Sequence, residues 1–122
     1  YRHALVVRAM IALKAVGALH DALGLADAEV ANWPQSPDFY FTVGDLYLEA
    51  AAQDPGRAGD FLAIAERAWK RCLEIGDRPD LDGAVAGRGG PLAAHNLAAL
   101  YEVLGRTELA ARYRTLAATP GR

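Results

Sequence analysis

The sequence predicts an all-α fold of six helices paired by short turns. Three observations predict it. Apolar residues recur at helical spacing along nearly the whole chain, with alanine at many small positions. Glycine and proline punctuate the boundaries, at Gly17, Pro34, Asp54-Pro55-Gly56, Gly76 and Gly105. No segment alternates with strand period over a useful length.

Residues 4–16 read as a first helix, with Leu5, Ala9, Ala12 and Val16 on one face and Val6, Met10 and Leu13 beside it. Gly17 breaks it. A second helix runs from about Ala18 to Asn32, and Pro34 marks its end. Ser36-Pro37-Asp38 is a helix start: Ser36 caps, Pro37 suits the first turn, and Asp38 meets the positive end of the helix dipole. This third helix reaches about Gln53, before the Asp54-Pro55-Gly56 loop. A fourth covers about Asp60 to Ile75, with Phe61, Ile64, Ala65, Ala68 and Cys72 on one face. Glu66 and Lys70 form an i, i+4 ion pair on its outside, and Gly76 stops it. Residues 77–90, DRPDLDGAVAGRGG, are the longest irregular stretch. Pro91 opens a fifth helix that ends at Leu104-Gly105. A sixth runs from about Thr107 to Ala118, before Thr119-Pro120.

The bulk numbers bound what such a chain does. Its 122 residues make one domain, and a hydrophobic share of 52% is enough for a core. A net charge of −2 without a basic stripe argues against nucleic acid. The most apolar stretch, Ala4 to Leu13, is interrupted by Arg8 and falls short of the roughly 20 residues that span a bilayer. The single cysteine, Cys72, excludes an internal disulfide and suits a reducing, cytoplasmic setting. The chain starts at Tyr1 without a signal peptide and is helical almost at once, so it reads as a piece of a longer protein.

An internal repeat organises the helices. Leu13, Tyr47 and Tyr101 align. Around Tyr47 the pattern is Tyr40-x2-Val43-Gly44-x2-Tyr47; around Tyr101 it is Ala94-x2-Leu97-Ala98-x2-Tyr101. Each is followed by a second helix with a small residue, Ala22, Ala65 or Ala110, and the middle one continues as Ala65-x3-Trp69-x2-Cys72 with Pro79 closing it. Small residues at Gly44 and Ala98 let paired helices approach closely, and the tyrosines fill the space between one pair and the next. Leu13 and Tyr47 are 34 residues apart; Tyr47 and Tyr101 are 54 apart. The surplus divides between the loop near Gln53 to Asp60 and the stretch from Asp80 to Gly90.

With this period and these residues the chain resembles a tetratricopeptide repeat domain, and residues 96–117, NLAALYEVLGRTELAARYRTLA, resemble one unit by themselves. The resemblance implies three antiparallel helix pairs in a short right-handed superhelix, an α-solenoid, forming one domain over residues 1–122. The units fall at about 3–36, 37–79 and 91–122, with a glycine-rich loop at about 80–90 between the last two. Residues 69–102, WKRCLEIGDRPDLDGAVAGRGGPLAAHNLAALYE, with WPQSPDFYFTVGDLYLE at 33–49, are similar to the repeat region attached to some bacterial family 2 glycosyltransferases. That family's transferase domain holds a nucleotide sugar and a metal on an α/β sheet. No such sheet is encoded here, so no catalytic residue carries over.

Individual residues offer little chemistry. His3, His20 and His95 lie on different helices, so they read as surface or groove histidines and not as a metal site. Cys72 falls on the inner face of its helix, with no base indicated by spacing. Residues 83–90, GAVAGRGG, lack the Lys-Ser/Thr ending and preceding strand of a phosphate loop. Three readings remain for that loop: its amides and Arg88 hold an anion before the helix at Pro91, its glycines allow a tight path, or Asp80, Asp82 and Arg88 pin it through ion pairs.

In this architecture the first helix of each pair lines a concave face. Helical spacing places Asp38, Phe41, Thr42, Asp45 and Glu49 there from the third helix, and His95, Asn96, Ala99 and Glu102 from the fifth. Arg8 and Lys14 come from the first. The expectation is a non-catalytic, cofactor-free module that binds a protein, a peptide or another domain of its parent chain through this groove, with no nucleic-acid or membrane role. The alternative is self-association through apolar end faces, giving a homodimer. A small enzyme or anion-binding domain would need a convergent set of groups that the sequence does not display.

Overall fold

The computed structural model describes residues 2–118. Tyr1 and the expected stop at Thr119-Pro120 lie outside the described residues, which form six α-helices and no strand. The helices are α1 (Arg2–Ala15), α2 (Leu19–Glu29), α3 (Pro37–Gln53), α4 (Ala58–Ile75), α5 (Pro91–Val103) and α6 (Thr107–Ala118). A 3-10 turn, Val30–Asn32, continues α2, and another, Pro55–Arg57, leads into α4. The boundaries follow the sequence expectation to within a few residues. The cap at Ser36 forms: its hydroxyl accepts the Phe39 N–H at 2.9 Å, with Pro37 as the first helical residue.

Neighbouring helices pack in sequence order. The most extensive contacts are α3 with α4 and α5 with α6, and α1 packs on α2. Between pairs, α1 and α2 rest on α3, and α4 rests on α5. Two buried clusters result. Val6, Met10, Leu19, Ala22, Phe39 and Leu46 join α1, α2 and α3; Ala65, Trp69, Cys72, Leu97, Tyr101 and Ala110 join α4, α5 and α6. Tyr40 and Tyr47 of α3 pack against both clusters, so the two are stitched together at α3. Tyr101 stacks on Tyr113, with ring centroids 5.5 Å apart, and its hydroxyl donates to Glu66 of α4. That hydrogen bond, opposed by burial and joined by the Lys70 ion pair at 3.3 Å, holds the Glu66 carboxyl below its usual range.

At Gly44, α3 and α4 approach closely. A Cβ there would lie 2.2 Å from Trp69 Nε1, inside the ring's van der Waals radius. The indole N–H donates to the Phe41 carbonyl at 3.3 Å, one turn up the same helix. Only glycine leaves room for this contact.

The extra residues of the middle pair are helix and not loop. Beyond Tyr47, α3 continues six residues, whereas α5 continues two beyond Tyr101. Similarly, α4 starts seven residues before Ala65, and α6 starts three before Ala110. The middle pair therefore overhangs the third by about one turn per helix.

Residues 77–90 are pinned at many points, combining the second and third of the readings made for them. Asp77 accepts the Gly87 and Gly89 N–H groups at 3.0 and 2.8 Å. Gly89 passes so near Gly76 that a Cβ would meet its carbonyl carbon at 2.3 Å. Arg78 pairs with Asp80 at 2.7 Å. Asp82 reaches back to α1, where its carboxylate accepts the Ala4 N–H at 3.0 Å and acts as a first-turn cap supplied from a distance.

The firmest anchor is Asp38, whose Oδ2 accepts the Val85 N–H at 2.8 Å and the Arg88 guanidinium at 3.0 Å. Asp38 is 1% exposed, and its Oδ1 has no hydrogen-bond partner among the described residues. Two expectations are corrected here. Asp38 does not face an open groove, because the loop covers it. Arg88 does not stand ready for an anion, because it is committed to Asp38 and lies over the Phe41 ring at 5.7 Å.

His3 is also corrected: it is buried, not on the surface. Its Nε2 meets the Ser36 hydroxyl at 2.6 Å, its Nδ1 meets the Asp82 carbonyl at 2.8 Å, and its ring sits edge-on to Trp33. The α1 N-terminus, the α3 cap and the loop thus share one hydrogen-bonded chain.

Two measurements check this account. Gly44→Ala should cost about 3 kcal/mol, the upper end of overpacking costs, and lower the melting temperature by roughly 10 °C; an unchanged melting temperature would show that Trp69 moves aside freely. Arg88→Met should cost about 3 kcal/mol in urea unfolding, because it strands the buried Asp38 carboxylate. The double variant Asp38→Asn/Arg88→Met should recover part of that loss, and faster amide exchange at Val85 should accompany the single variant alone.

Candidate partner-binding groove

The expected groove residues separate into four groups. Asp38 and Thr42 are interior, with the Thr42 hydroxyl donating to the Asp38 carbonyl at 2.9 Å. Thr42 therefore leaves the groove along with Asp38. Phe41 is half-buried beneath Arg88. Glu49, His95 and Glu102 lie on the surface or at its edge, Glu49 accepting from Gln53 at 3.2 Å and Glu102 paired with Arg114 of α6. Asp45 and Asn96 are the two that meet: they face each other across α3 and α5 at 3.4 Å.

Around that pair lies an open cavity of about 230 Å³. Its walls come from three helices: Leu48 on α3, Leu62 and Trp69 on α4, and Ala99, Leu100 and Val103 on α5. Leu62 follows the added first turn of α4, and Val103 is the last residue of α5, so the cavity opens beside the step where the middle pair overhangs the third. Leu48 is 46% exposed and Val103 is 80% exposed. Large apolar side chains are thus exposed around a concavity that also holds a carboxylate.

Sequence reasoning missed Leu48, Leu62, Leu100 and Val103, although two were within reach. Val103 continues the spacing Asn96, Ala99, Val103, and Leu48 follows Asp45 by three; both belong to the face the polar residues defined.

Asp45 sits at a stability cost. Burial pushes its carboxyl above the usual aspartate range, against the pull of Lys14 and Arg88. Its single hydrogen bond, from Asn96, is long. Cys72, Ser36 and His3 are closed off from solvent. Cys72 is buried, its Sγ donates to the Pro37 carbonyl at 3.3 Å, and burial drives its thiol pKa strongly upward, away from the thiolate form. Ser36 and His3 are in contact but buried. No group of three or more metal-binding side chains occurs among the described residues, and none of these helices is long and apolar enough to cross a membrane.

The Asp45 shift has a testable sign. A carboxyl raised in the folded state binds its proton more tightly there than in the unfolded chain. Its cost is present above the folded pKa and vanishes below the unfolded one. Asp45→Asn should therefore raise the melting temperature at neutral pH, with the gain shrinking as pH falls through the aspartate range. A pH-independent difference between the two proteins would remove the charge from the explanation. Comparison of the chain with protein-family models, curated proteins and solved structures finds no match.

Proposed function

We propose that the chain is a non-catalytic, tetratricopeptide-type interaction module whose α3–α5 face receives a segment of another protein or of its own parent chain. The observation that carries this reading is the cavity around Asp45 and Asn96, with Leu48 and Val103 exposed at its mouth. A fold gains nothing by itself from an exposed valine beside a half-buried carboxylate; a partner that covers both does. Three features support the repeat reading: the pairing of helices in sequence order, the close contact at Gly44, and the matching register of α3 and α5. Each of those helices starts with proline and carries its small residue and its tyrosine at the same later positions, Gly44 and Tyr47 in α3, Ala98 and Tyr101 in α5. The resemblance to repeat regions of bacterial family 2 glycosyltransferases makes a transferase domain one candidate partner.

Self-association is the second reading, favoured by the exposed Leu5 and Ile11 of α1 and by Val16 just beyond its end.

The test is selection from a displayed random peptide library. Recovered peptides should bind the wild-type domain and lose at least about tenfold in affinity on Val103→Glu, with the melting temperature unchanged because Val103 is exposed. Peptides indifferent to Val103→Glu would remove this face from the function. Light scattering on the same samples separates the second reading: a dimer that Val16→Glu dissolves would favour it.

A further inference from the structure

The cavity beside Asp45 is smaller than the roughly 300–1,000 Å³ typical of small-molecule sites, at about 230 Å³. It suits one long side chain. Its walls are aliphatic at Leu48, Leu100 and Val103, and its polar groups are the Asp45 carboxylate and the Asn96 amide. We propose that this cavity takes a lysine or arginine side chain from a partner segment, its methylene stem against Leu48, Leu100 and Val103 and its cationic head at the Asp45 carboxylate. This rests on the reading of the α3–α5 face as the partner groove.

The chemistry selects against the other occupants. Lysine and arginine lay their stems on apolar surface while keeping the head on a polar group. A purely apolar side chain would complete the burial of Asp45 and give it no donor, which is costly. An acidic side chain would set like charges together. A cation instead makes a charge-assisted hydrogen bond, about twice as strong as a neutral one.

The cations already near Asp45 do not fill this role. Arg88 is held by Asp38, and Lys14 acts on Asp45 only through space. Glu49, one turn along α3 from Asp45, adds a second negative charge on the same side of the helix. Burial raises the Asp45 carboxyl by disfavouring its charged form, so a cation that favours that form also recovers part of the cost.

The experiment uses the selected peptides. One position should be dominated by Lys or Arg. Replacing that residue with norleucine, which keeps the stem and removes the charge, should weaken binding to the wild-type domain by roughly 30-fold. Against Asp45→Asn the same replacement should change affinity by less than about threefold. Glu49→Gln should leave most of the cation preference in place, and melting curves of both variants establish that they fold. Binding should also weaken as pH falls and Asp45 takes up its proton.

Peptides sensitive to Val103→Glu that carry no cation preference would overturn this proposal and leave the groove standing. So would a norleucine penalty equal in wild type and Asp45→Asn, or one abolished by Glu49→Gln. Failure to recover any peptide sensitive to Val103→Glu would overturn both.

Discussion

Trp69 lies across Gly44 so closely that a methyl group on the glycine would overlap the indole ring. This contact sets the distance between α3 and α4, and much else follows from it. It brings the Trp69 N–H to the Phe41 carbonyl, so the indole buries its one polar group satisfied. It holds α3 where Tyr40 and Tyr47 reach both buried clusters. It also puts Trp69 at the inner wall of the cavity whose mouth Leu48 and Val103 line. A pair held a methyl group further apart would change the core and the groove together.

The N-terminal end of the same helix organises the loop. Asp38 stands in the first turn of α3, where the dipole favours a carboxylate. Its charge faces inward and is met by Val85 and Arg88. One residue pair away, Ser36 caps α3 and contacts His3, which in turn holds the Asp82 carbonyl. The loop between the second and third pairs is thereby tied to the first pair. A long connection with several glycines would otherwise have a large unfolded ensemble to give up; here, beside the His3 contact, Asp38, Asp77, Asp82 and Arg88 bond to backbone or to an opposite charge. The middle pair, longer by a turn in each helix, and the fixed loop together define the two ends of the α3–α5 face.

The parts legible in the sequence are those governed by local rules. Helical periodicity, the Ser36-Pro37 start, the Gly76 stop and the small residues at Gly44, Ala65 and Ala110 each report on neighbours within a few turns. Asp80, Asp82 and Arg88 read as residues that could pin the loop, but the partners of Asp82 and Arg88 were not legible, because they are remote: Asp38 and Arg88 are 50 residues apart, His3 and Asp82 are 79. Periodicity also assigns residues to a face without saying what covers it, which is why Asp38 and Thr42 were expected in the groove. His3 reads as a surface or groove histidine because the three histidines lie on different helices; its burial follows from two remote partners, the Asp82 carbonyl of the loop and the Ser36 hydroxyl at the α3 cap. For the groove, the polar half of the face was read and the apolar half overlooked, since Leu48 and Val103 look like core residues until the step between pairs exposes them.

Asp38 and Asp45 show how one helix assigns two fates to the same side chain. They lie two turns apart on α3, on faces that both point toward the later half of the chain. Asp38 is sealed by a loop that brings its own arginine. Asp45 meets only the amide of Asn96, and its surroundings are aliphatic. An aspartate whose charge the fold disfavours is easily replaced by asparagine or serine if stability alone matters. Its presence beside Leu48 and Val103, where apolar exposure is also unrewarded within the domain, places two unfavourable features in one cavity. A single occupant, apolar along its length and cationic at its tip, would relieve both at once.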